Sequence, residues 1–146
     1  MSSNSASDEY SLPTREEAFA AFAHLMDHED FLLSGLYTGG FPLLHRYLHE
    51  LENLLMEVLP DLHRHLLSKG VVAMMYAQPW FHTLFITVVP EAAVVRVWGK
   101  MLREGPKALL TYALALLQDN KASLLCMDDV EDLMRALRHP RISPAS

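Results

Sequence analysis

The sequence predicts an all-α protein, a single helical domain of about seven to nine helices. Three observations carry that prediction. No run alternates apolar and polar residues with period two for long enough to make a convincing strand. Leu44, Leu48, Leu51, Leu55 and Val58 recur at 4-3-4-3 spacing, the narrow apolar seam of an amphipathic helix. Prolines stand where helices would open, at Pro42, Pro60, Pro79, Pro90 and Pro106, because a first-turn residue has no intrahelical N–H bond to lose.

Taken in order, residues 1–13 hold five Ser, an Asn and a Pro with few apolar side chains, the composition of a disordered leader. Thr14 and Glu17 then spell a capping box, which predicts a helix ending near Asp27 with Ala18, Phe22, Leu25 and Met26 on its apolar side. His28 to Gly40 reads as an irregular connection. Pro42 opens the leucine-seam helix, with Arg46 and Glu50 placed to pair at i, i+4 on its wet side. Pro60 starts a short helix carrying Leu62, His65 and Leu66, stopped by Gly70. From Pro79, Trp80, Leu84 and Val88 share a face at i, i+4, i+8 beside Phe81 and Phe85, predicting a helix buried on most sides. Pro90 and Glu91 open the next, with Val94, Val95, Trp98, Met101 and Leu102 as its core stripe and Arg96, Lys100 and Arg103 opposite. Gly105 ends it. A central apolar helix spans Pro106 to Gln118, followed by a short one from Asp119 to Leu125. Asp128 caps a last helix through Arg138, with Val130, Leu133, Met134 and Leu137 inward. The organised domain therefore covers 14–138, and 139–146 form a flexible tail.

Composition limits the function. At 146 residues the chain makes one domain with a real core. Apolar residues make up 51% and charged ones 21%, so the chain as a whole is not disordered. A net charge of −6 argues against a nucleic-acid partner, which would need clustered Lys and Arg. A lone Cys126 excludes an internal disulfide and fits a reducing compartment. Val71 to Pro90 is twenty residues without Lys, Arg, Asp or Glu. Its polar residues and internal helix boundary favour a buried core pair over a transmembrane span.

Generic chemistry is sparse. His24 with His28, and His45 with His49, are i, i+4 pairs that could share a metal, but the zincin spacing is absent and histidines more often pack, cap or face water. Cys126 has no activating base beside it in sequence. Gly35 to Gly40 lacks the Lys-Ser/Thr ending of a phosphate loop. No catalytic, metal or cofactor-binding residue is assigned, and no cofactor is implied.

One block of residues does carry a specific likeness. Trp80-x-x-x-Leu84-Phe85, then Pro90, Arg96-Val97-Trp98 and Glu104-Gly105, resembles the last signature block of the TBC domain, the Rab GTPase-activating fold. The family's Asp after the second Trp is Gly99 here. Upstream, Glu16 to Met26 resembles the helix that follows the family's glutamine motif, and Leu36-Tyr37 through Gly40-Phe41-Pro42 continues the likeness, which runs to about Leu137. It covers most of this chain but only the C-terminal part of a TBC domain.

The resemblance implies a fold, a partner and a mechanism. Family members act on Rab–GTP with an Arg that stabilises charge on the transferred phosphoryl group and a Gln that positions water. Those come from Ile-x-x-Asp-x-x-Arg and Tyr-x-Gln motifs in the N-terminal half. Val58 to Arg64 and Tyr76-Ala77-Gln78 imitate them, but Pro79 replaces the usual Gly, and Arg64 and Gln78 lie too close together in sequence. Both read as lookalikes. The expectation is a Rab-binding, non-enzymatic C-terminal part, cytoplasmic and peripheral to endomembranes, with possible self-association through an uncovered face. The rivals are a helical interaction module without GTPase chemistry and a small metalloenzyme built on the paired histidines.

Overall fold

The leucine seam becomes the axis of the molecule. In the computed structural model, which describes residues 14–28, 33–37 and 39–142, helix α2 runs Pro42–Val58 with proline in its first turn. Leu44, Leu48, Leu51 and Leu55 are buried, with Tyr47 beside them. Each buried leucine stabilises the fold by about 1.5–3 kcal/mol relative to exposure, so this face anchors its neighbours. They are α3 (Pro60–Ser68), α4 (Ala73–Tyr76), α5 (Gln78–His82), α7 (Lys107–Leu125) and a 3-10 turn at Leu33–Leu36. With α1 (Arg15–Asp27), α6 (Glu91–Glu104) and α8 (Val130–Arg138), the described residues hold eight α-helices and no strand. The protein is all-α. Arg46 and Glu50 meet at 3.6 Å, while Val58 is half exposed because Leu59 leaves helical geometry and takes over the buried position.

Two helix boundaries differ from the sequence reading. The expected break at Gln118 is absent, and α7 continues to Leu125. Asp and Asn are poor helix residues because their side chains compete for backbone bonds. Here Asn120 meets that demand without leaving the helix. Its buried amide donates to the carbonyls of Leu116 (2.8 Å) and Arg141 (3.0 Å), and its oxygen accepts the Arg141 N–H (2.9 Å). The chain just past α8 is thereby clamped onto α7.

The other difference is the segment after Pro79. Helix α5 stops at His82, and residues 83–88 are turns. Leu84 and Phe85 take left-handed φ angles of 50° and 67°, a conformation costing about 1–2 kcal/mol per non-glycine residue. Trp80, Phe81, Leu84 and Phe85 are all buried across this reversal, while Ile86, which follows it, is exposed. Two hydrogen bonds fix it: Phe85 N–H to the Trp80 carbonyl (2.8 Å) and Trp98 Nε1–H to the Leu84 carbonyl (2.9 Å).

Helix α6 is also rotated from its predicted stripe. Ala93, Val97 and Met101 are buried, Val94 and Trp98 are half-buried, and Val95 and Leu102 face outward. Its packing partner is α7, and the small Ala93 side faces it. Arg96, Lys100 and Arg103 are exposed as expected.

The terminal helices keep their predicted caps, with one shift. Thr14 Oγ1 accepts from Glu17 N–H (3.2 Å) and Glu17 Oε2 accepts from Thr14 N–H (2.9 Å). Yet α1 buries no residue; Leu25 and Met26 pack partly against the core, whereas Ala18 and Phe22 are exposed. At the other end Asp129, not Asp128, caps α8, which buries Leu133 and Leu137 and leaves Val130 exposed. No helix among the described residues is long and apolar enough to cross a membrane. The predicted leader at 1–13 and the end of the predicted tail lie outside the described residues.

Candidate functional site

The aromatic residues of the signature block pack together, and the rest of the block runs along α6. Trp80 lies between Tyr76 (ring centroids 5.4 Å) and Phe85 (6.2 Å), and Phe85 meets Phe81 (5.7 Å) and Tyr112 (5.1 Å) edge-on. The Trp80 indole N–H and the Tyr76 hydroxyl are buried without an acceptor among the described residues. Burial, with the Glu52 carboxylate adding to it, pushes the Tyr76 hydroxyl far up. Pro90 stands at the start of α6 and Gly105 at its end. Gly105 has φ +94°, where any L side chain is strained, and its N–H caps the Met101 carbonyl at 2.8 Å. Glu104 reaches Lys100 at 4.0 Å on the surface. Arg96 is exposed, at the edge of the groove between α6 and α7. At Gly99 an added Cβ would meet Arg103 Nη1 at 3.6 Å, an ordinary contact, so space does not forbid the family's Asp.

The two finger lookalikes sit on different helices. Arg64 lies on the surface of α3, its Nη2 3.1 Å from Asp61 Oδ1 one turn back. Gln78 is exposed at the start of α5, with Pro79 fixed behind it. No hydrogen bond or ion pair joins them. The histidine pairs are likewise separate. His24 and His28 have ring centroids 4.3 Å apart on α1. His45 and His49 line a cavity on α2 with Glu52 and His63. Glu52 is already engaged, accepting the Ala73 N–H at 2.7 Å and lying 3.3 Å from His63 Nε2. Among the described residues no group of three or more His, Cys, Asp or Glu is placed to hold a metal ion.

The structure adds a cluster that sequence reading passed over. His82 stands in an otherwise apolar run of the sequence and ties the loop before α2 to α5. Its Nε2 lies 2.9 Å from the Leu36 carbonyl, and its own carbonyl accepts the Tyr37 hydroxyl at 2.8 Å. Tyr37 stacks on the His82 ring (5.6 Å, 9° between planes), and Phe41, at φ 49°, meets it edge-on (5.1 Å, 90°). Tyr37 and Phe41 remain 44% and 37% exposed, so a rigid, half-wet aromatic rim faces solvent. Such rims, apolar on the face and polar at the tip, are common at protein interfaces. The one available signal was that Tyr37 and Phe41 belong to the family-like block, while His82 is distant in sequence.

An all-helical domain with this aromatic signature block is what the RabGAP TBC domain family builds, and its family profile matches residues 11–142. The chain belongs to that family. It is 34% identical over 113 residues to the Ecotropic viral integration site 5 ortholog of Drosophila melanogaster, covering 77% of this chain and 14% of that protein. It is 35% identical over 113 residues to the Rab GTPase-activating protein eat-17 of Caenorhabditis elegans, covering 77% and 12%. Against the GTPase-activating protein GYP5 of Saccharomyces cerevisiae it is 31% identical over 121 residues, covering 82% and 13%. The chain thus spans about one-seventh or less of the length of these relatives.

Proposed function

We propose that this chain corresponds to the C-terminal part of a Rab GTPase-activating TBC domain and binds a Rab-type GTPase without supplying either catalytic finger. The observation that supports this is the state of Arg64. An arginine finger must present its guanidinium to a partner's phosphates. Arg64 instead forms an i, i+3 pair with Asp61, whose second oxygen lies 3.9 Å from Lys121. Gln78 is followed by the rigid Pro79 rather than a glycine, which leaves the backbone less free to bring its amide to a water. Trp80, Leu84, Phe85, Pro90, Trp98, Glu104 and Gly105 then act as scaffold, holding the Tyr37–Phe41–His82 rim as a contact surface. The site of action is cytoplasmic, at the surface of endomembranes.

The test is single-turnover GTP hydrolysis across a Rab panel with this chain in excess, run beside Arg64→Ala and Gln78→Ala. The expected result is no acceleration by any of the three, with binding of at least one Rab–GTP that Tyr37→Ala weakens. Acceleration that disappears in Arg64→Ala would instead make the lookalikes the site.

A second reading is a helical interaction module without GTPase chemistry that associates with its own copies. Phe19 and Phe22 on α1 are 71% and 55% exposed, an apolar face that no helix among the described residues buries. Sedimentation velocity decides it: self-association lost in Phe19→Ser/Phe22→Ser, without any Rab binding, favours this reading.

A further inference from the structure

The groove between α6 and α7 has the form of a small ligand site. Its α6 wall is Ala93, Arg96, Val97 and Lys100, at i, i+3, i+4 and i+7. Its α7 wall is Ala108, Thr111, Tyr112 and Ala115, at the same spacing. Two helical stripes in this register face each other along their length. Where large side chains would close such a seam, three of these eight positions are alanine, and a cavity of about 220 Å³ remains.

Two cations and two hydroxyls are the polar groups that line the cavity, Arg96, Lys100, Thr111 and Tyr112, and no carboxylate is among its lining residues. Arg96 has no carboxylate partner among the described residues, and Lys100 holds Glu104 at only 4.0 Å. The Tyr112 hydroxyl is screened from solvent and without a hydrogen-bond partner, whereas Thr111 Oγ1 already leans on the Lys107 carbonyl at 3.4 Å. The Phe85 ring packs edge-on against the Tyr112 ring and holds it in place. Burial raises the Tyr112 pKa, the Arg96 charge opposes that rise and the Asp119 carboxylate adds to it, so the hydroxyl carries its proton at neutral pH. An orphaned buried donor beside an unpaired guanidinium calls for an acceptor with negative charge. Alanine and valine walls call for an apolar body.

We propose that the α6–α7 groove binds an amphipathic anion, an oxyanion head on a short acyl or alkyl body. Arg96 and Lys100 pair with the head, Tyr112 donates its hydroxyl hydrogen to it, and the body lies against Ala93, Val97, Ala108 and Ala115. The cavity, about 220 Å³, suits a short body rather than a long chain. Two sources share this chemistry, a carboxylate and a phosphate monoester. The site does not depend on the GTPase reading.

The probes are hexanoate and hexyl phosphate, with hexanol and hexylammonium as controls. Binding is followed by saturation-transfer NMR and by the shift in Tm that a native-state ligand produces. One or both anions should bind saturably, roughly tenfold or more tighter than hexanol, since charge-assisted bonds supply the difference. Arg96→Met should remove that advantage. Ala115→Leu fills the groove from an exposed position and should abolish binding of both anions; Tyr112→Phe should weaken it. Circular dichroism melts establish that each variant is folded. A preference for one anion assigns the head group. Equal binding of hexanol and hexylammonium, or full binding in folded Ala115→Leu, would overturn the site.

Discussion

Helices α1 and α8 begin in the same way and end up in opposite situations. Each starts at a side-chain cap, Thr14 with Glu17 in one and Asp129 in the other. Each carries apolar residues at helical spacing. Yet α8 buries Leu133 and Leu137 almost completely, while α1 buries nothing and leaves Phe19 and Phe22 in solvent. The difference lies in the neighbours. α8 lies against α4, and the segment after it is clamped by Asn120, whereas α1 meets the short turn at Leu33–Leu36. A cap decides where a helix starts; a packing partner decides whether its apolar face contributes to stability.

The strongest way to break the comparison is to truncate one apolar residue on each helix. Leu133→Ala should cost about 2–5 kcal/mol in urea unfolding, the range for a buried leucine, while Phe22→Ala should cost under ~0.5 kcal/mol as a surface change. Equal costs would mean that α1 is packed. Next comes the clamp. Asn120→Ala leaves the Arg141 backbone groups unpaired and should cost about 1–3 kcal/mol, with faster amide exchange from Leu133 onward.

The caps sharpen the contrast at smaller scale. Asp129→Ala should lower global stability by roughly 1 kcal/mol. Thr14→Ala removes an equivalent bond, but should reduce helicity within α1 without moving the global urea midpoint. The smallest effect is a gain. Gly99 sits mid-helix with room for a Cβ, so Gly99→Ala should stabilise the protein by about 0.5–1 kcal/mol, read as a raised Tm.

Local signals in the sequence were read well where the physics is local. The leucine seam of α2, the Thr14 box and the stops at Gly70 and Gly105 depend on residues within a few positions of one another. The family block was legible for a similar reason, because its landmarks keep fixed spacing along the chain. The candidate surface was less so. Tyr37 and His82 are joined by a hydrogen bond across 45 residues, and no periodicity links them. Tyr112 looked like one more apolar residue until α6 was set beside it.

By itself, then, the sequence determined the helical class, the family and the starts of α1, α2 and α3, because propensity, capping and proline geometry act over a single turn. The short α4 and the unbroken α7 were not legible in it. Tertiary structure decided which faces are buried. It turned α6 so that Ala93 and Val97, not Val95 and Leu102, meet α7, and it left α1 uncovered. It also bent Leu84 and Phe85 into left-handed geometry, held by the Trp98 indole, which donates to the Leu84 carbonyl from fourteen residues away. Burial is a property of pairs of elements, and the pairing is written in no single stretch of chain.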